Sequence, residues 1–193
     1  MCWSFQLPLA RDLYWTCLAE NPNFAPAWAW LGRCCWFLDK FTHSNSVIAE
    51  LAEAAFQRAF LIDPDLSSAH QFYTVLQIDL GRSDEAMHRL LDRLERHPAE
   101  AESFSSLVQV LRFRGLLRES VAAHRRAVEL DPAVTTSVAH TFFLTGQYKT
   151  ASKPTVDDLD ITWMRPHGLH WATESKRLPS CGNDPATLRS RSL

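Results

Sequence analysis

The chain reads as an all-α protein: an α-solenoid of antiparallel helix pairs stacked into a right-handed superhelix. Three observations carry that reading. Pro64, Pro98 and Pro132 recur 34 residues apart, each closing an amphipathic stretch (AFLIDP, DRLERHP, AVELDP). Gly81 and Gly115 keep the same 34-residue interval. Between these marks apolar residues recur at spacings of three and four, which sets them on one stripe of a helix. A fixed period in this range marks a repeat array.

The elements follow in order. Residues 8–24 read as the second helix of a unit without its first, with Ala10, Tyr14 and Cys17 on one face and Pro22 at the close. Pro22 precedes Pro64 by 42 residues, one period plus eight, so the unit over 25–66 carries an insertion, placed near 40–47 with a loop FTHSNS. In the unit over 67–100, His70, Tyr73, Thr74 and Gln77 share a face, then Gly81 turns the chain, then Ala86, Leu90 and Leu94 form a second stripe. In the unit over 101–134, Phe104, Leu107, Val108 and Leu111 precede Gly115, and Val121, His124, Ala127 and Val128 follow it. A partial unit over 135–151 begins with a helix from Val138 to Leu144. Glycine supplies the backbone freedom of a tight turn, and proline cannot continue a helix. From 152 to 193 the period stops and Ser, Thr, Pro and Arg dominate. That tail is expected to be irregular or disordered, or else to fold back with Ile161, Trp163, Met164 and Trp171 over the open end.

Composition narrows the function classes. A formal net charge of −2 leaves no electrostatic footprint for nucleic acid or an acidic membrane. The longest apolar run, FAPAWAWLGRCCWFL, is interrupted by Arg33 and too short to span a bilayer. No basic stretch precedes an apolar core at the N-terminus, so no secretory signal is expected. The five cysteines lack C-x-x-C spacing. They are expected to be reduced thiols of a cytoplasmic protein, with Cys17, Cys34 and Cys35 buried.

These residues resemble the tetratricopeptide repeat family. In the first full unit Trp28, Leu31, Gly32, Ala52, Phe56, Ala59 and Pro64 fall where that family carries a large aromatic, Leu, Gly, Ala, an aromatic, Ala and Pro. The second unit keeps Ala86 and Pro98, has Leu90 for the aromatic, and departs at Thr74 and Arg93, where small residues are expected. The third keeps Phe104, Leu107, Ala127 and Pro132, with Ser120 for Ala, Val108 for Gly and His124 for an aromatic. The resemblance covers residues 8–151. It implies that first helices line a concave face, and at the inward-pointing positions this chain has Arg33, Trp36 and Phe37, then Ser68, Gln71, Val75, Ile78 and Asp79, then Glu102, Ser105, Gln109, Arg112 and Phe113. The Lys and Asn with which chaperone-binding members clamp a carboxylate are Ala29 and Arg33 here, so chaperone C-termini are not expected ligands. The units also resemble the repeat tails of bacterial signalling proteins such as kinases and cyclases.

No phosphate-binding, dinucleotide-binding, zinc-protease, hydrolase-elbow or kinase signature occurs, so no enzyme activity and no cofactor are expected. His167, His170 and Cys181 have ligand-like spacing but no fourth partner, and Asp157, Asp158 and Asp160 read as a solvated acidic turn. The expected function is a non-catalytic interaction module holding a partner peptide or helix in a groove lined by Arg33, Trp36, Phe37, Gln71, Val75, Asp79, Ser105, Gln109, Arg112 and Phe113. Two alternatives stay open. One is a self-assembling scaffold, a homo-oligomer joined through apolar end helices (Trp3, Phe5 and Leu7; Phe142, Phe143 and Leu144). The other is the sensor arm of a larger signalling enzyme.

Overall fold

The structure, a computed structural model, describes residues 3–42 and 46–151. Among them are nine helices and no strand: α1 (Trp3–Glu20), α2 (Ala25–Thr42), α3 (Ser46–Ile62), α4 (Ser67–Asp79), α5 (Ser83–Arg96), α6 (Ala101–Phe113), α7 (Leu117–Leu130), α8 (Val138–Leu144) and α9 (Tyr148–Ala151). Helices α2 and α3, α4 and α5, and α6 and α7 form antiparallel pairs. The first helices α2, α4, α6 and α8 pack on one another in sequence, while α3, α5 and α7 each lean on the next first helix. Every unit touches only its neighbours, as a solenoid requires.

The turns inside the pairs repeat atom for atom. Gly81, Gly115 and Gly146 all take the left-handed conformation, with φ near 74–75°. Each closes a first helix with the same two backbone bonds. Arg82 N–H donates to Gln77 at 2.7 Å and Gly81 N–H to Ile78 at 3.0 Å; Leu116 and Gly115 bond Leu111 and Arg112, and Gln147 and Gly146 bond Phe142 and Phe143. This is the Schellman closure, for which glycine is favoured because it lacks a Cβ. The joins between units repeat as well. The Asn21, Asp63 and Asp131 side chains accept from the backbone N–H two residues on, at 3.2, 3.1 and 2.8 Å. The residue before each proline therefore builds its own turn. At the third join His97 stands instead, and its Nε2 lies 3.1 Å from the Asp65 carboxylate.

The eight-residue insertion is absorbed differently from the expected loop over 41–46. Helix α2 runs through Thr42 and α3 starts at Ser46. They have 18 and 17 residues, against 13 and 14 in α4 and α5, so five extra residues lie in one helix and three in the other. Three residues separate the two helices, as in the later pairs. Good helix formers such as Leu51, Ala52, Glu53 and Ala54 in the apolar-striped α3 make added helix cheaper than an ordered loop.

Two apolar clusters fill the array. The first gathers Leu18, Leu31, Phe56, Ala59, Phe72 and Leu76 from α1 to α4. The second gathers Ile78, Ala86, Leu90, Val108, Val110 and Val138 from the end of α4 to α8. Gly32 lets α2 and α3 approach: a Cβ there would lie 3.0 Å from the Ala52 carbonyl and from the Phe56 ring. Cys34 and Cys35 are buried free thiols, pushed up by burial to about 12 and about 11, while Cys17 is half-buried. At the N-terminal end Leu7 is buried, contrary to the expected apolar edge, while Leu9 and Leu13 are the exposed leucines of α1. Trp3 and Phe5 side chains lie outside the described residues.

Two glycines separate the two uses of that residue. Gly32→Val should cost about 2–3 kcal/mol by overpacking against Ala52 and Phe56. Gly81→Ala meets open space and should cost about 1–2 kcal/mol through backbone strain alone. Urea unfolding followed by circular dichroism measures both; a smaller loss for Gly32→Val than for Gly81→Ala would refute the close-approach argument.

Candidate interaction surface

The sequence-derived groove residues sit on the first helices, but they do not all face an open surface. The Arg33 guanidinium lies over three rings, Trp30 at 5.0 Å, Phe37 at 5.6 Å and Phe72 of the next first helix at 4.5 Å. Cation–π attraction holds the planar head there. Trp36 is buried, and its indole N–H donates to Asp79 at 2.8 Å. The Lys40 ammonium donates to the same carboxylate oxygen at 2.8 Å and stands over the Trp36 ring. Asp79 thus staples α4 to α2. Lys40 belongs to the lengthened end of α2, so the insertion supplies one arm of this staple.

The third unit repeats the device with other groups. Ser105 donates to the Thr135 carbonyl at 2.6 Å. Arg112 donates through Nη1 to both the carbonyl and the hydroxyl of Ser137 at 2.8 Å. Burial pushes Arg112 down to about 10, and no carboxylate among the described residues pairs with it. It remains a cation at neutral pH, with its head fixed on one edge only. Ile78 is buried in the second apolar cluster, not turned to the inner face. Gln71 and Glu102 are exposed, Ser68, Val75 and Gln109 are half-buried, and Phe113 is 60% exposed. The inner face therefore has a floor of mutually bonded groups, with Gln71 and Glu102 exposed above it and Phe113 exposed beneath the Arg112 guanidinium, 5.5 Å from its ring.

Sequence reasoning flagged Thr74 and Arg93 as departures and missed what they build. Between α4 and α5 lies a polar layer. His70 Nε2–H donates to the Pro64 carbonyl at 2.8 Å, which leaves Nδ1 to accept from Arg89 at 2.7 Å. Arg89 also donates to Thr74 at 2.7 Å and to Gln77 at 3.2 and 3.0 Å, and lies over the Tyr73 ring. Every acceptor is neutral, and burial lowers Arg89 to about 10. Burial likewise pushes His70 down to about 4, so the imidazole is neutral. One turn on, Arg93 is 2% exposed and grips Glu100 with two bonds of 2.5 Å, the Asp65 carbonyl at 2.9 Å and Ser67 at 3.1 Å. Burial alone would raise Glu100; bonds from Arg93, Ser103 and Ser67 outweigh it and hold the carboxyl at about 2. A long residue where the repeat carries a small one must find a buried partner, and Glu100, seven residues on, was the visible candidate. On the turn side Glu53 takes both Arg82 guanidinium nitrogens at 2.8 Å and the Tyr73 hydroxyl at 2.9 Å, and Asp84 pairs with Arg114.

Among the described residues no group of three or more His, Cys, Asp or Glu could hold a metal ion. The spacings at His167, His170 and Cys181 and at Asp157, Asp158 and Asp160 lie outside the described residues.

Helix pairs joined by left-handed glycines, closed by prolines and stacked through their first helices define an α-solenoid with the tetratricopeptide-repeat fold. Solved structures share it. The thermophilic tetratricopeptide-repeat protein TTC0263 of Thermus thermophilus superposes with a TM-score of 0.57 at 19% identity, covering 76% of this chain and 74% of its own. The crystal structure of MamA matches with a TM-score of 0.50 at 15% identity, covering 78% of this chain and 85% of its own. No protein-family model matches the chain, and no curated protein sequence matches it.

The polar layer ties stability to pH. His70 is depressed from 6.5 to about 4, so its contribution is complete above pH 6.5 and is lost as pH falls toward 4. Glu100 adds a further loss as pH falls from 4.5 toward about 2. Unfolding free energy should drop by about 2–3 kcal/mol between pH 7 and 4 from His70, and His70→Gln should flatten that part of the curve. Arg93→Ala should cost about 3–5 kcal/mol by stranding Glu100. Denaturant titrations across pH test both; an unchanged slope in His70→Gln would remove His70 from the account.

Proposed function

We propose that the chain is a non-catalytic protein-interaction module whose inner face holds an extended peptide or a helix of a partner protein. The observation that carries the reading is the contrast on that face: Gln71 and Phe113 are exposed, Phe113 with Arg112 over its ring, beside groups already bonded to one another. An exposed amide can bond a peptide backbone, and an exposed ring offers an anchor to an apolar side chain. A floor whose rotamers are fixed loses little entropy on binding. Arg33, Trp36, Phe37, Val75, Asp79, Ser105, Gln109 and Arg112 frame the groove.

The non-catalytic part rests on the most reactive groups being occupied. His70 spends its bare nitrogen on Arg89, and Cys34 and Cys35 lie too high to ionise near neutral pH. Reduced, buried thiols favour the cytoplasm. No helix among the described residues is long and apolar enough to cross a membrane. The net charge of −2 favours a protein partner over nucleic acid.

A second reading draws on the ends of the array. Leu9 and Leu13 of α1, each 61% exposed, and Phe143 and Leu144 of α8, 62% and 59% exposed, are apolar edges that stacking between copies would bury. Sedimentation at rising concentration separates it from the first, since a monomer throughout excludes it.

Capture from lysate with wild type, a Gln71→Lys/Phe113→Asp double variant and an outer-face control, Leu91→Lys, tests the groove. Wild type and control should retain the same protein, and the double variant should lose it by about tenfold or more. Equal retention by the double variant would overturn the assignment.

A further inference from the structure

The C-terminal end of the inner face differs from the rest. Phe113 in α6 and Leu144 in α8 each stand two residues before a left-handed glycine, so they hold corresponding places in neighbouring first helices. By the same register Phe143 holds the place of Arg112. Phe113, Phe143, Leu144 and Tyr148 are 60%, 62%, 59% and 60% exposed, and the Tyr148 ring meets Phe143 edge-on at 5.3 Å. Beside them lies Arg112, tied through Nη1 to Ser137 and stacked on Phe113. Among the described residues its Nε and Nη2 carry no hydrogen bond, and no carboxylate pairs with it. A cation with a free two-nitrogen edge amid open apolar side chains calls for a ligand that is acidic and apolar together.

The chain itself carries such a ligand next door. Helix α9 starts with Tyr148 in the patch and ends at Ala151, and 42 residues follow. Their charge is mostly basic or scattered, except in VDDLDITWM, residues 156–164, where Asp157, Asp158 and Asp160 are interleaved with Leu159, Ile161 and Trp163. Asp157 lies six residues past Ala151, a reach of up to about 20 Å when extended. That is enough to return to Arg112 across the next helix, since packed helices lie about 8–10 Å apart.

We propose that residues 156–164 dock in cis on this patch. An aspartate takes the free edge of Arg112 in a two-bond grip, and Ile161 and Trp163 cover Phe113, Phe143 and Leu144. On the reading that the inner face receives a partner, the segment competes with that partner for the C-terminal end of the groove.

Hydrogen–deuterium exchange on the full chain tests docking with no partner present. Residues 156–164 should exchange at least about tenfold more slowly than a free chain. Phe113→Ser, an exposed position outside the core, should abolish that protection, and Arg112→Gln should reduce it, while outer-face Arg125→Gln leaves it intact. Free-chain exchange in wild type would overturn the proposal, as would protection untouched by both inner-face variants. Protection that grows with protein concentration would assign the segment to a second copy and overturn docking in cis. The Asp157→Asn/Asp158→Asn/Asp160→Asn variant should raise partner capture; exchange protection without that rise keeps the docking and removes the competition. Failure of docking leaves the partner-binding groove standing, because the exchange experiment contains no partner.

Discussion

The array depends on how the second unit keeps two arginines inside it. Arg89 and Arg93 lie between α4 and α5, where neighbouring units place the buried alanines Ala55 and Ala59, and Ala123 and Ala127. A guanidinium in that space is tolerable only if its donors are met, and here they are: His70, Thr74 and Gln77 for one, Glu100, Asp65 and Ser67 for the other. The layer divides the apolar interior into two clusters, and the joins on either side of the second unit are written in its side chains. Residues Asp65 and Ser67 belong to the join before it and Glu100 to the join after it, so one side chain, Arg93, fixes both. Apolar packing alone would stabilise such an array at least as well. Directional bonds instead fix one relative placement of the two halves.

That placement matters for the inner face. The same economy of neighbour-to-neighbour bonds reappears there, in Asp79 between α4 and α2 and in Arg112 between α6 and the residue that leads into α8. Each bond ties a polar group of one first helix to the neighbouring unit. The side chains left exposed there are correspondingly few: Gln71, Glu102 and Phe113.

The fold was legible because its punctuation is local. Pro64, Pro98 and Pro132 stop helices through ring geometry, and Gly81 and Gly115 turn the chain through φ, so both act without reference to distant residues. Gly146 escaped the count because it arrives three residues early, after a first helix cut to seven residues. The groove was less legible. Helical spacing tells which face a residue occupies but not whether another helix will claim its polar atoms. Asp79 and Ser105 looked like free contacts and are bonded to Trp36 and Thr135. Ile78 looked inward-facing and is core. The polar layer was half visible, since Arg93 was marked as out of place; its partners in Ser67, Asp65 and Glu100 depend on two joins meeting in space.

The lengthened first pair has a bearing on engineering. Eight residues entered at the tip of α2 and α3 without changing the interval between the two helices or the pairing of either with its neighbours. Near the end of α2, Lys40 still reaches across to Asp79 of the next unit. Chain added within the two helices extends along their axes, at about 1.5 Å per residue. The tip of the first hairpin is thus a permissive graft point, where a dye-labelling site, an epitope or a second binding domain can be carried with its orientation set by two helices rather than by a flexible linker.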